Sequence, residues 1–163
     1  MKEEEMREHL VNAIKARAMF YYALYKEFSA EIGPARTAEI MKRAIYRRGL
    51  EIGKPFRQFG PSDMAGLKGA FLGNIPDPKG TFNPELERCD AAGLDIQLTT
   101  CPLKDAWQEA GLTDEEIMTM TEIAGVVDAG TFEGAGFSFK PDTWKPGRRG
   151  CCHLHIRPGQ KGK

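Results

Sequence analysis

The sequence predicts an α+β fold in which N-terminal helices pack on a four-stranded antiparallel sheet, in the order αααββααββ. Two observations carry this prediction. Apolar residues recur every three or four positions through the first 60 residues, which is the period of an amphipathic helix. After residue 80, short segments that alternate apolar and polar side chains are interleaved with two further helical segments. This interleaving is typical of strands and helices that share one α+β domain.

The length and charge of the chain narrow the possible classes of protein. At 163 residues we expect one domain, with a helical part over residues 1–60 and a sheet-containing part over residues 81–157. Lys and Arg together number 23, as do Asp and Glu, so no net field favours nucleic acid or an anionic membrane surface. No apolar run is long enough to span a bilayer, and the acidic N-terminus lacks the pattern of an export signal. We therefore expect a cytoplasmic protein whose four cysteines are free or bind metal.

Three helices are predicted in the N-terminal part. The first covers residues 2–32, and Gly33 ends it because glycine suits a helix end. Proline suits a first helical turn, so the second helix covers residues 34–50, and residues 62–63 cap a third. The first helix carries aromatic side chains around most of its circumference, namely Phe20, Tyr21, Tyr22 and Tyr25. One domain can bury only one side of such a helix, so we expect a homodimer.

The second half of the chain begins with a predicted hairpin. Its strands are "ELERCDAA" and "LDIQLTTC", joined at Gly93. A short helix follows over residues 102–111. Thr113 then caps a longer helix, with Glu116 completing a capping box, and this helix is expected to end before Gly130. The segments "GFSFKP" and "CCHLHI" complete the sheet.

The last strand, "CCHLHI", concentrates potential ligands. Alternation along a strand places one thiol and both histidines on one face: Cys151, His153 and His155. The opposite face, marked as the core side by its apolar residues, carries Cys152, Leu154 and Ile156. Two histidines at positions i and i+2 can hold a divalent ion such as zinc or manganese, with Cys101 as a tentative third ligand. A solvated strand face without metal is the alternative, because two ligands alone do not make a site.

Other candidate residues lie at the ends of predicted elements. Cys101 precedes a helix whose N–H groups and dipole lower the pKa of a thiol, so it is a nucleophile or a metal ligand unless it only fills space. Asp128 faces inward in the last turn of its helix, where the dipole opposes a negative charge. We expect a compensating cation, metal or proton there, and a structural ion pair is the alternative. Arg148 and Arg149 are candidates for binding an anionic substrate, or simply form the turn before the last strand.

Several segments together resemble one hydrolase family. They are "RAMFYYALYKEFSAEIG", "AEIMKRAIYRRG", "TTCPLKDAWQEAGLTDEEI", "DAGTFEGAGFSF" and "CCHLHI". With them, the sequence resembles the L-2-amino-thiazoline-4-carboxylic acid hydrolase family from about Arg17 to Ile156. The resemblance implies hydrolysis of a small cyclic C–N compound, in which water attacks the C=N carbon of a thiazoline ring and opens it to a carbamoyl-cysteine. The layout is also similar to 4-vinyl reductase-type domains, and the alternative is a non-enzymatic module that binds a small ligand or senses metal or redox state.

The resemblance also implies site residues. Cys101 matches the Cys before Pro, Asp128 the Asp of a Cys-x-x-Asp helix motif, and Cys152 the Cys of the closing strand. The chain departs from the motif at Gly125, where the family pattern would have Cys. In the expected site Cys101 is nucleophile or ligand and Asp128 is general base or orienter, and the set is completed by Cys152 with His153 or His155. In a metal-assisted version, the ion that activates water is held by His153, His155 and Cys101.

Overall fold

The computed structural model describes residues 2–160, and it confirms the α+β fold and the expected order of elements. The helices are α1 (Glu3–Ile32), α2 (Pro34–Gly53), α3 (Met64–Gly73), α4 (Pro102–Glu109) and α5 (Asp114–Gly134), with a 3-10 helix over Lys54–Phe59. The strands are β1 (Pro84–Asp90), β2 (Gly93–Leu98), β3 (Ser138–Lys140) and β4 (His153–Arg157). No helix within residues 2–160 is long and apolar enough to cross a membrane.

The four strands form one antiparallel sheet with two chemically different faces. The strand order is β1-β2-β4-β3. On the inner face, apolar side chains of the two central strands are fully buried: Leu94, Ile96, Leu154 and Ile156. The outer face of the same strands carries polar side chains that pair across the register, Gln97 with His153 and Asp95 with His155. The sheet therefore divides the chemistry-bearing residues into two groups.

Helices α2 and α5 pack with their backbones almost in contact. A Cβ atom on Gly49 would lie 2.3 Å from the carbonyl oxygen of Val127, and one on Gly130 would lie 2.2 Å from that of Tyr46. Only glycine fits at either position. The distance of α5 from α2 is consequently set by backbone contact rather than by interlocking side chains.

Two predicted helix ends are wrong by a few residues. The capping box at the start of α5 is confirmed, since Thr113 Oγ1 accepts from the Glu116 N–H at 3.2 Å and Glu116 Oε2 accepts from the Thr113 N–H at 3.0 Å. The helix does not end before Gly130, however, but continues to Gly134. Similarly, α2 continues past Leu50 to Gly53. In both helices the glycines are contact points between α2 and α5, and this packing outweighs their low helix propensity.

The start of β4 also differs from the prediction. The Leu98 N–H donates to the Cys152 carbonyl at 2.9 Å, and the Cys151 N–H donates to the Leu98 carbonyl at 3.0 Å, so two residues face one, as in a β-bulge. A Cβ on Gly150 would meet the Leu98 oxygen at 2.4 Å, so glycine permits this approach. The bulge interrupts the alternation before β4 begins at His153. The prediction that Cys151 shares the face of the histidines is therefore wrong, and Cys151 is buried on the core side.

Candidate active site

A mainly apolar cavity lies on the inner side of the sheet. Its volume is about 210 Å³. The apolar part of its wall is formed largely by Phe71, Ile75, Phe82, Leu98, Leu103 and Trp107. The polar and ionisable groups that line it are Arg17, Cys101, Thr121, Asp128, Cys151 and Cys152. Small-molecule sites usually combine an apolar wall with a few convergent polar groups in this way.

Cys101 lies at the N-terminus of α4 and faces the cavity. It is the N-cap residue in extended conformation, and Pro102 forms the first turn. A hydrogen bond from the Cys151 thiol lowers the pKa of Cys101, and the backbone N–H groups of Lys104 and Leu103 lower it further, whereas burial opposes both. The Cys101 side chain makes no regular cap hydrogen bond, so these N–H groups contribute less than the Cys151 thiol. The predicted position of Cys101 at a helix start thus contributes to the lowered pKa of its thiol.

The other two cavity cysteines follow each other in sequence. The Sγ atoms of Cys151 and Cys152 are 3.0 Å apart, and both residues are free thiols. Hydrogen bonding to Cys101 and Cys152, together with burial, raises the pKa of Cys151. Cys151 therefore keeps its proton and donates it toward Cys101. Sequence reasoning did not give Cys151 this role, because the bulge that turns it inward leaves no signal in the alternation.

Asp128 enters the cavity from α5. Thr121, Ala124 and Asp128 line the cavity from one helix face, as the predicted register requires. Among residues 2–160, Asp128 has no salt bridge or side-chain hydrogen bond. Protein atoms surround its carboxyl group, although the cavity leaves part of the residue accessible, and burial raises its pKa to about 7. Of the three compensations expected for this carboxylate, no cation lies within salt-bridge distance among residues 2–160, and the raised pKa favours retention of the proton.

Arg17 is the cavity residue that the sequence reasoning missed. It lies beside Ala18, whose carbonyl accepts a 2.9 Å hydrogen bond from the Trp107 indole N–H, and this contact ties α1 to α4. Within residues 2–160, no carboxylate lies within salt-bridge distance of Arg17. Arg17 is exposed overall and directly precedes the buried Ala18, so the apolar stripe of α1 did not single it out in the sequence.

The two histidines do not join the cavity. His153 and His155 lie on the outer face of β4, because their partners across β2 are Gln97 and Asp95 rather than the buried residues. The structure thus brings together Cys101, Asp128 and Cys152 but separates them from the histidines. The tentative metal set of His153, His155 and Cys101 is not assembled, because the sheet lies between its members.

Arg148 and Arg149 are also away from the cavity. Arg148 donates to both carboxylate oxygens of Asp142, one of them at 2.7 Å. Arg149 donates to Glu85 at 2.8 Å. Both guanidinium groups are occupied by side chains of the protein itself, so the structure gives neither of them contact with a substrate bound in the cavity.

Gly125 forms a thin part of the cavity wall. It lines the cavity and also an outer groove that contains Asp142 and Thr143. A Cβ atom at this position would lie 3.1 Å from the Thr143 methyl group. A side chain at this position would therefore be crowded by Thr143, which lines the outer groove.

Comparison with known families gives one match over most of the chain. The family model described as L-2-amino-thiazoline-4-carboxylic acid hydrolase matches residues 11–156, which include every cavity-lining residue named above. The match supports a hydrolase. None of the curated proteins compared with the chain matches it.

Proposed function

Because the chain belongs to the L-2-amino-thiazoline-4-carboxylic acid hydrolase family, we propose that it opens a small cyclic C–N compound of this class by hydrolysis, with Cys101 as the nucleophile. One observation carries the proposal. A thiol whose pKa is lowered and a carboxyl group whose pKa is about 7 line the same small cavity. Thiol-dependent hydrolysis needs a nucleophile whose thiolate form is favoured and a proton donor that titrates near neutral pH.

The cavity suits a flat heterocycle that carries one carboxylate. Its apolar wall matches the ring, and Arg17 supplies an unpaired guanidinium group for the carboxylate, which it can bind through two parallel hydrogen bonds. We assign substrate binding to Arg17 in place of Arg148 and Arg149. The assignment rests on their different surroundings, since only Arg17 lines the cavity.

In the first step, the Cys101 thiolate adds to the ring carbon that lies between nitrogen and sulfur. A new C–S bond forms, the electron pair of the C=N bond moves to nitrogen, and Asp128 donates its proton to that nitrogen. The tetrahedral intermediate then collapses. One bond between the attacked carbon and a ring heteroatom breaks, and its electron pair stays on that heteroatom. The opened substrate remains attached to Cys101 through an amidine-type carbon.

In the second step, Asp128 acts as a carboxylate. It removes a proton from a water molecule whose oxygen adds to the attached carbon, and the collapse of this adduct expels the Cys101 thiolate. The carbon leaves as a carbamoyl group, and the second proton of water ends on the released heteroatom. The sum is one water added, and both side chains return to their starting states.

The test is turnover of L-2-amino-thiazoline-4-carboxylate by the wild-type chain and by Cys101→Ser. We expect the wild type to produce a carbamoyl-cysteine and the variant to lose roughly a thousandfold or more in rate, because the nucleophile is removed. Cys89→Ser is the matched control, since Cys89 is a free, partly buried thiol of β1 outside the cavity. Near-normal turnover by Cys101→Ser would favour direct attack by water.

A binding module without catalysis is the second candidate, and Gly125 in place of the motif cysteine is the observation that favours it. The same experiment separates the two. Saturable binding of the thiazoline by the wild type, with unchanged substrate after long incubation, would support the module and reject the hydrolase.

The proposed assembly is a homodimer formed through α1. Aromatic side chains Tyr21, Tyr22 and Tyr25 pack on the core, but an apolar strip remains exposed: Met19, Phe20, Leu24, Phe28 and Ile32. Phe20 is 71% exposed, which is unusual for a large apolar side chain. Light scattering after gel filtration should give twice the chain mass, and Phe20→Glu should give the monomer mass. A monomeric wild type at tens of micromolar would reject this assembly.

A further inference from the structure

A second cluster of potential ligands lies on the outer face of the sheet. His153 and His155 project from β4, and Asp142 lies in the loop between β3 and β4. One side-chain ligand atom from each of the three lies within 4.8 Å of the other two. No other such group of His, Cys, Asp or Glu occurs in residues 2–160. The cluster is separate from the proposed catalytic cavity.

The hydrogen bonding of His155 leaves one ring nitrogen directed at this cluster. Its Nδ1 lies 2.7 Å from Asp95 Oδ1, and Asp95 is held in turn by Arg157 at 2.9 Å. With the proton on Nδ1, the lone pair of Nε2 faces Asp142 Oδ2 at 3.4 Å. Two acceptors at this distance repel unless a cation or a proton lies between them. A carboxylate that orients a histidine from behind is the usual support of a metal-binding imidazole.

His153 provides an independent indication. Its Nε2 is buried and has no hydrogen-bond partner in the described chain. Glu87 Oε2 lies only 2.6 Å away, but without the geometry of a hydrogen bond. The register of β1 on β2 shifts between Leu86 and Arg88, so Glu87 is the extra residue of a bulge. Bulges re-aim side chains, and this one directs a carboxylate across the sheet toward His153.

We propose that Asp142, His153 and His155 bind one divalent ion of the zinc type on the outer face of the sheet, with the carboxylate of Glu87 beside His153 adding negative charge. Two imidazoles and one carboxylate are a donor set that zinc accepts, with water in the fourth position. Arg148 donates to Asp142 without consuming its coordinating capacity, because each carboxylate oxygen accepts from two directions.

The ion would join the two ends of one loop. Asp142 lies at its start and His153 at its end, and their backbones are already linked by a 2.8 Å hydrogen bond from the His153 N–H to the Asp142 carbonyl. The same loop carries Cys151 and Cys152 into the cavity. The metal therefore acts as a structural clamp on the loop that supports the thiols, and it takes no part in attack on the substrate.

The experiment uses the full chain, freed of metal by a chelator and titrated with Zn²⁺ by calorimetry, with bound metal counted by mass spectrometry. We expect about one zinc per chain in the wild type and in Cys101→Ser. His153→Gln/His155→Gln should bind at least tenfold more weakly. His9→Ala is the matched control, because His9 is exposed on α1 and far from the cluster in sequence. Asp142→Asn repeats the test if the double variant does not fold.

Other outcomes overturn the proposal. A wild type that binds no zinc would reject the proposed metal site. Binding that persists in the histidine variant and disappears in Cys101→Ser would place the ion on the thiols. Asp95→Asn should weaken binding by roughly 10- to 100-fold if Asp95 orients His155, and unchanged affinity would contradict that orientation. Metal content is measured without substrate, so these results do not depend on the proposed hydrolysis.

Discussion

The two faces of the sheet use similar residues in opposite ways. On the inner face, Asp128 is surrounded by apolar groups, lacks an ionic partner within residues 2–160, and has its pKa raised to about 7. On the outer face, Asp142 accepts hydrogen bonds from Arg148, and these lower its pKa. The first carboxyl group can exchange a proton near neutral pH, whereas the second stays ionised.

This difference indicates which face carries out proton chemistry. An ionised side chain whose charge is paired within the protein is held in place and stabilises the fold. It is then less available to bind a substrate or to exchange a proton with it. Arg17 and Asp128, which line the cavity, have no ion-pair partner within residues 2–160. On the outer face, Arg148 and Arg157 are each paired with a carboxylate. Matching substitutions on the two faces should therefore have unequal effects on catalysis, with the larger effect on the inner face.

The largest difference is expected between two carboxylates. Asp128→Asn removes the proton donor while preserving shape, and kcat should fall by roughly a hundredfold or more. Asp95→Asn, its counterpart on the outer face, should leave kcat within about threefold, because a change away from the site has a small effect. Steady-state kinetics on the thiazoline substrate measure both. Equal losses would show that the faces are not functionally distinct.

Arginine provides the next comparison. Arg17→Gln should raise KM by about ten- to a hundredfold, because a charge-assisted contact with the substrate carboxylate is lost. Arg149→Gln, which only breaks a surface pair with Glu85, should leave KM unchanged. The inhibition constant of a thiazoline that lacks the carboxylate should be the same for Arg17→Gln and wild type. A rise in KM for Arg149→Gln would return substrate binding to the loop before β4.

The pH dependence of stability should carry the signature of Asp128. Between about pH 4, where a free aspartate titrates, and pH 7, the folded state retains a proton that the unfolded state has lost. The free energy of unfolding must therefore fall as pH rises through this window. Denaturant titrations at several pH values should show this slope in the wild type and a flatter one in Asp128→Asn. Parallel curves for the two proteins would place the carboxyl of Asp128 in water.

The smallest effect concerns the wall between the two faces. Gly69→Ala in α3 meets no atom within 4 Å, so it should gain about 0.5–1 kcal/mol from improved helix propensity. Gly125→Ala should gain less or lose stability, because the new methyl group meets Thr143 at 3.1 Å. Urea unfolding of both variants measures the difference. An equal gain would mean that the loop carrying Thr143 moves aside to accept the methyl group without a measurable cost in stability.

The order of elements was predictable because it depends on local signals. The three-four period, the Gly33–Pro34 junction and the capping box at Thr113 act within a few residues, and the structure follows them. Helix ends at Gly53 and Gly134 were not predictable, because they depend on close contact between helices that are far apart in sequence. The low helix propensity of glycine predicts that a helix ends, whereas these glycines lie within helices because close helix packing requires them.

Part of the candidate site was also readable from the chain. The start of α4 and the register of α5 bring Cys101 and Asp128 to one cavity, and both are local features. The alternation of β4 correctly placed His153 and His155 on the face opposite Leu154 and Ile156, but it could not show that the cavity with Cys101 lies on the other side of the sheet. The inward turn of Cys151 required the bulge opposite Leu98, which arises from pairing with β2 and not from the sequence of β4.

The backbone contact between α2 and α5 has a consequence for redesign of the pocket. Gly49 and Gly130 have no side chain, so the distance between α2 and α5 cannot be tuned by substituting side chains at their crossing. A larger residue at either position would displace α5, which carries Asp128. The size of the cavity can instead be varied at residues that line it away from this crossing, such as Gly125, Ile75 and Phe82. A library aimed at new ring compounds should therefore keep the crossing constant and diversify these three sites.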